Sequence, residues 1–168
     1  MPPSDESYLD EKGRTRWRRN DEIAQKLKDL HDLLVIGGYD ELHARRYPQL
    51  AYTISRHPDS IVLLREEERL SEVPGVSTTI AGLIGEYLDT GSCAKFEEWS
   101  QHTPRSVLEM TAIDRLGAKT ARMLYHDLGI DSLASLAEAL DTGVLDGVKG
   151  IGKKMKDTIG AHVAGHCR

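Results

Sequence analysis

Lys153 and Lys154 follow directly on Gly150-Ile151-Gly152, within the stretch VKGIGKKMKDTI at residues 148–159. Glycine reaches backbone angles closed to other residues, so two glycines around one apolar residue allow a tight turn. Met155 and Ile159 then recur at helical spacing. The first N–H groups of a helix are unpaired and carry partial positive charge, so such a start can hold an anion. Ile151 anchors the turn in a core, and the two lysines stand where a bound phosphate would lie. The chemistry implied is recognition of phosphate. The plain alternative is an ordinary glycine turn between packed helices, since a single Gly-x-Gly is a weak signal.

The stretch has two partners. Residues 73–84 read VPGVSTTIAGLI and residues 113–124 read IDRLGAKTARML. All three give apolar, two residues, apolar, small, then a helix closed by Ile or Leu. Their spacing is uneven, so they are related units and not a solenoid. The pattern resembles the helix-hairpin-helix motif, which implies binding of nucleic-acid backbone without reading sequence. The third copy alone has both glycines; Ser77 stands at the second glycine of the first copy, and Arg115 at the first glycine of the second. The candidate phosphate contacts are Gly150, Ile151, Gly152, Lys153 and Lys154, then Gly117, Ala118 and Lys119, then Gly75, Ser77 and Thr79. Arg45, Arg46 and Arg56 add positive charge near the ends of a helix in the first part.

The elements that position these residues all read as helices. Asn20 or Asp21 can cap a first helix in which Ile23, Leu27, Leu30 and Leu34 recur at helical spacing, and Gly37-Gly38 ends it. Pro48 marks a helix start or kink, with Tyr47, Leu50 and Ile54 facing inward, and Pro58 stops that helix. The run REEER at residues 65–69 reads as a solvated helical face. Gly91 and Gly129 end the helices after the first two hairpins. Residues 94–99 form a short helix with Phe96 and Trp99 inward, and Thr103-Pro104 opens the next. No segment alternates with period two. The expected fold is all-α, with about ten short helices.

Composition narrows the function. The chain has 168 residues, 39% hydrophobic, and a net charge of −5. That charge argues against coating nucleic acid by bulk electrostatics but leaves room for local basic patches. There is no apolar run of membrane-spanning length, no secretory signal, and only Cys93 and Cys167, so no membrane partner and a cytoplasmic location are expected. Residues 1–19 read as a disordered basic tail, with Lys12, Arg14, Arg16, Arg18 and Arg19 around Trp17. They serve as a phosphate-touching arm or as a solubilising tail.

The ordered set NDEIAQKLKDLHDLL, AYTISRHPDSI, EVPGVSTTIAGLIGEYLDTG, RLGAKTARMLYHDLGIDSLASLAEAL and LDGVKGIGKKMKDTI resembles the N-terminal region of bacterial family X DNA polymerases, from about residue 20 to 163. The resemblance implies a small helical lyase-like domain with the first hairpin at residues 20–90, and a tandem of the second and third hairpins at 91–168. It implies a grip on duplex, nicked or gapped DNA. The polymerase palm, with paired aspartates for magnesium, has no counterpart, so a complete polymerase is not expected; the chain is a free-standing DNA-gripping half or a fragment. In lyase-active relatives a lysine on the helix after the first hairpin forms a Schiff base with the sugar aldehyde. That position is Leu83 here, and the neighbouring phosphate-contacting lysine is Thr79. Tyr47 stands at the phosphate-pocket aromatic of the family, or is a tyrosine at the edge of the core.

Catalytic residues are therefore not expected. No cofactor is expected, and the only metal considered is a monovalent cation at hairpin carbonyls. His162, His166 and Cys167 have metal-ligand spacing, with His126 as a third ligand, but no CxxC supports them and a plain terminal helix is the preferred reading. Three functions follow. The first is a non-sequence-specific DNA-binding protein of DNA repair or processing. The second is a 5′-deoxyribose-phosphate lyase using a displaced lysine, Lys26, Lys28 or Lys95. The third is a protein-interaction scaffold with degenerate hairpins, motivated by the net negative charge and the acidic residues of the 65–69 run.

Overall fold

The computed structural model describes residues 5–166. Among them the chain forms ten α-helices and one two-stranded sheet, so the all-α expectation holds. The chain divides into two compact units. One comprises the described residues up to His31 together with Asp40–Glu98; the other comprises Asp32–Tyr39 and the described residues from Trp99 onward.

The first unit opens with β1 (Ser7–Leu9) and β2 (Thr15–Trp17), paired antiparallel with Tyr8 opposite Arg16. Residues 5–17 were expected to be disordered, and they are instead an anchored hairpin. Asp10 holds its loop by accepting the Lys12 and Arg14 N–H groups, each at 2.9 Å. Arg16 donates to the Ser55 carbonyl at 2.9 Å, and the Trp17 indole to the Pro58 carbonyl at 2.8 Å. Asp5 accepts from Ser60 Oγ at 2.6 Å. Composition alone does not reveal such long-range polar ties. Nor is this segment a free basic arm, since Arg14 and Arg16 pair with Asp10, Arg18 with Glu6 and Arg19 with Glu22, all at 3.0 Å. The first four residues of the expected tail lie outside the described residues.

Helix α1 (Arg18–Ile36) buries Ile23, Leu27, Leu30 and Leu34, as the spacing predicts. It starts before Asn20, which is not its cap. The Asn20 side chain is buried and donates to the Ile54 and Asp59 carbonyls at 3.1 and 3.0 Å while accepting the Ile61 N–H at 2.7 Å. Every polar atom of this buried amide is thus paired, which removes the cost of burying it. It pins α1 to the end of α3 (Arg46–Ser55) and the start of α4 (Ile61–Glu66); α2 (Glu41–Ala44) precedes them. The 65–69 run straddles the end of α4 and is tied down by ion pairs of Arg65 with Asp89 and of Arg69 with Glu67 and Glu72. A single 3₁₀ turn (Leu70–Glu72) leads through the first hairpin into α5 (Thr78–Thr90), closed by Gly91 at φ +80°.

α6 (Ala94–Ser100) spans the division between the units, which falls after Glu98 and not at residue 90. The second unit continues with α7 (Arg105–Glu109), the turn Met110–Ala112, α8 (Ala118–Leu128), α9 (Leu133–Asp141) and α10 (Lys153–His166). Its core holds Val107, Met110, Ile113, Leu116, Leu124, Leu136, Leu145, Ile151 and Ile159. Residues 32–39 belong with it for specific reasons. The Tyr39 and Trp99 rings meet edge to face at 5.4 Å, and His126 Nε2 donates to the Ile36 carbonyl at 3.0 Å. A Cβ on Gly37 would stand 2.7 Å from the Trp99 ring, so this close approach requires glycine.

Candidate nucleic-acid interface

The three hairpins share one turn. The Val76 N–H donates to the Val73 carbonyl at 3.1 Å, Leu116 to Ile113 at 3.0 Å, and Ile151 to Val148 at 3.0 Å. The residue just before each donor has positive φ: Gly75 +89°, Arg115 +65°, Gly150 +91°. This is the pattern of a type II turn, which needs positive φ at its third position. The apolar donors Val76, Leu116 and Ile151 are buried and fix each turn to its core.

The turn therefore rests on the first glycine position alone. The second position is extended: Ser77 has φ −85° and Gly117 φ −83°, and Gly152 is not among the positive-φ glycines. The expectation that Gly152 shapes the turn is corrected. It stands at the start of α10 in open space, with nothing within 4 Å of where a Cβ would lie. Ser77 takes the same place in the first hairpin as a helix cap, accepting the Ile80 N–H at 3.3 Å. The Ile151 side chain is buried, as an anchor requires, and its N–H is spent within the turn; the Ala118 side chain is buried as well.

In the second unit the second and third hairpins frame one cleft. Asp114 and Arg115 line it from one side, and Gly152, Lys154, Met155, Asp157 and Thr158 from the other. Lys153, Lys154, Arg115 and Lys119 are all exposed. Lys156 pairs with Asp146 at 2.8 Å. Sequence reasoning treated Arg115 as a departure from the hairpin pattern. The structure keeps the turn and sets the guanidinium-bearing residue on the same cleft as Lys154.

The first unit has its own cleft, lined by Arg46, Tyr47, Thr79, Leu83, Glu86 and Lys95 among others. It gathers five residues singled out from sequence, Arg46, Tyr47, Thr79, Leu83 and Lys95. The Tyr47 side chain is fully buried, so it is a floor residue and not an exposed aromatic. Arg46 donates to its hydroxyl at 3.3 Å, and the Lys95 amine lies 5.6 Å from its ring centre. Lys26 and Lys28 are exposed on α1 and do not line this cleft. Arg45 and Arg56 are exposed at the two ends of α3.

No group of three or more His, Cys, Asp or Glu side chains is placed to hold a metal ion among the described residues. The His162 and His166 rings stack at 4.1 Å, and burial followed by the nearby His166 charge pushes the His162 pKa down. His126 is engaged with Ile36, and Cys167 lies outside the described residues. Among the described residues no helix is long and apolar enough to cross a membrane.

Residues 107–159 match the family model of the SAM-like helix-hairpin-helix tandem. The chain is also similar to the DNA polymerase/3′-5′ exonuclease PolX of Bacillus subtilis (strain 168), at 28% identity over 96 residues. That match covers 57% of this chain and 17% of the relative. The resemblance to the N-terminal region of family X DNA polymerases holds.

Proposed function

We propose that this protein binds DNA without sequence preference by gripping its phosphate backbone, in DNA repair or processing. The observation that carries the reading is the cleft where two hairpins of one turn geometry bring together Arg115, Gly152 and Lys154. The helix-hairpin-helix tandem and the similarity to PolX support it. Backbone amides and cationic side chains there meet phosphate oxygens, which position a protein on DNA but carry no sequence information. Duplex, nicked and gapped DNA are the expected forms. The test is a set of titrations of labelled duplex and gapped DNA across a salt series. About four phosphate contacts give a log–log salt slope near −3.6, and Lys153→Ala with Lys154→Ala makes it shallower by about 1.8, alike for every sequence. Flat titrations at low salt would reject DNA binding in favour of the protein scaffold.

One observation favours a second reading, a lyase on abasic-site sugar phosphate. Lys95 lines the cleft where relatives carry their nucleophile and this chain has Leu83. Its amine would add to the sugar aldehyde and lose water to form an imine, which borohydride reduces to a stable adduct. Covalent trapping that disappears in Lys95→Ala supports this reading, and absence of an adduct ends it.

A further inference from the structure

The outer face of α3 carries a stripe that the hairpins do not explain. Arg45, Gln49, Tyr52 and Arg56 follow at steps of four, three and four residues, which places them on one side of a helix. All four are exposed or half-exposed, opposite the buried Tyr47, Leu50, Ala51 and Ile54. Tyr52 is 60% exposed, unusual for an aromatic in a chain with few of them. The Arg56 guanidinium lies 3.7 Å from the Tyr52 ring centre. That distance is close stacking, and it holds the ring in place.

Among the described residues, the charges on this stripe are not neutralised by carboxylates. Arg14, Arg16, Arg18, Arg19, Arg65 and Arg69 each pair with a carboxylate. Arg45 and Arg56 have no carboxylate partner among the described residues. Arg45 and Arg56 thus share one face with the exposed ring. An exposed aromatic flanked by unneutralised cations suits one chemistry, an unpaired nucleotide: the base stacks on the ring and the phosphates on either side meet the guanidiniums. Paired bases are already stacked within a duplex and cannot take such a contact.

We infer that Tyr52 is a stacking platform for an unpaired DNA base, with Arg45 and Arg56 holding the flanking phosphates. The inference rests on the proposed DNA binding and adds a preference for DNA with a single-stranded stretch. The experiment uses the full chain with three labelled DNA probes, namely a blunt duplex, the same duplex with a gap of about five nucleotides, and oligo(dT), and with labelled oligo(rU) as an RNA control. Tyr52→Leu removes the ring from an exposed position and should weaken oligo(dT) and gapped DNA by about tenfold or more, leaving the blunt duplex unchanged. Tyr52→Phe keeps the ring and should bind as the parent does. Equal affinity of parent and Tyr52→Leu for oligo(dT), with duplex binding intact, overturns this inference and leaves the hairpin reading standing. An equal loss on all three DNA probes overturns it as well, because the ring would then be structural or a general contact. Tighter binding of oligo(rU) than of oligo(dT) overturns the assignment to DNA. Failure of the parent to bind any probe removes both readings together.

Discussion

Replacing Arg115 by glycine should stabilise the protein and weaken its hold on DNA at once. Arg115 occupies the turn position held by Gly75 and Gly150 in the other hairpins, at φ +65°. A left-handed backbone costs a side-chain-bearing residue about 1–2 kcal/mol, which Arg115→Gly relieves. The extra freedom of glycine in the unfolded chain takes back about 0.4–1 kcal/mol. The net gain is about 0.5–1 kcal/mol, or about 1–4 °C in Tm for a chain of this size. The same substitution removes a cation from the cleft shared with Lys154, so the salt slope of DNA binding should become shallower by about 0.9. Arg115→Ala separates the effects, since alanine keeps the strain and loses the charge. It should weaken binding equally with no rise in Tm. Thermal unfolding by circular dichroism and fluorescence anisotropy across a salt series read the two quantities. A Tm that falls in Arg115→Gly would refute the strain argument. An unchanged slope in both variants would show that Arg115 does not touch phosphate.

Gly150→Val forces valine into φ +91° and should cost about 2 kcal/mol or more, read from urea unfolding. Gly152→Val meets nothing within 4 Å and should cost less than about 1 kcal/mol, yet weaken DNA binding by covering the first amides of α10; equal stability losses would contradict the turn assignment. Asn20→Ala strands the Ile61 N–H and two carbonyls and should cost about 3 kcal/mol at an unchanged m-value; a loss near zero would show that water replaces the amide. The N-terminal hairpin should be acid-sensitive. The Arg14 N–H first, and then the Arg16 and Arg14 side chains and the Lys12 N–H, hold the Asp10 carboxyl below its ordinary value. The unfolded chain then binds more protons, so the stability Asp10 contributes is complete above the usual carboxylate range and falls as pH drops through and below it. The advantage of the parent over Asp10→Asn should shrink on acidification, and an advantage that grows would contradict the shift.

The fold was legible wherever it depended on local pattern. Ile23, Leu27, Leu30 and Leu34 form the buried stripe that their spacing implies, and glycines close the helices where they stand. The turn residues Val73, Ile113 and Val148 likewise fall where the repeat places them. What escaped depends on groups far apart in sequence. Asn20 looks like a cap until the carbonyls of Ile54 and Asp59 are seen beside it. The N-terminal hairpin looks like a charged tail because its ties to Ser55, Pro58 and Ser60 cross about forty residues or more. At the candidate site, glycine content suggested that the second hairpin is degenerate. Backbone geometry shows that an arginine can carry the same turn at a cost in strain. Lys95 was one of three lysines named from sequence, and only the fold separates it from Lys26 and Lys28.

The interruption of the first unit by residues 32–39 governs how the molecule can be dissected. A split after residue 90, where the motifs suggest a boundary, or after Glu98, where the fold divides, removes those eight residues from the unit they complete. The C-terminal piece would then lack the carbonyl that receives His126 and the ring that meets Trp99. It would expose apolar surface that the intact chain covers, and it should aggregate or unfold early. An excised tandem that fails to bind DNA would therefore say nothing about its hairpins. A faithful excision starts no later than Asp32 and rejoins Tyr39 to Trp99 through a flexible linker.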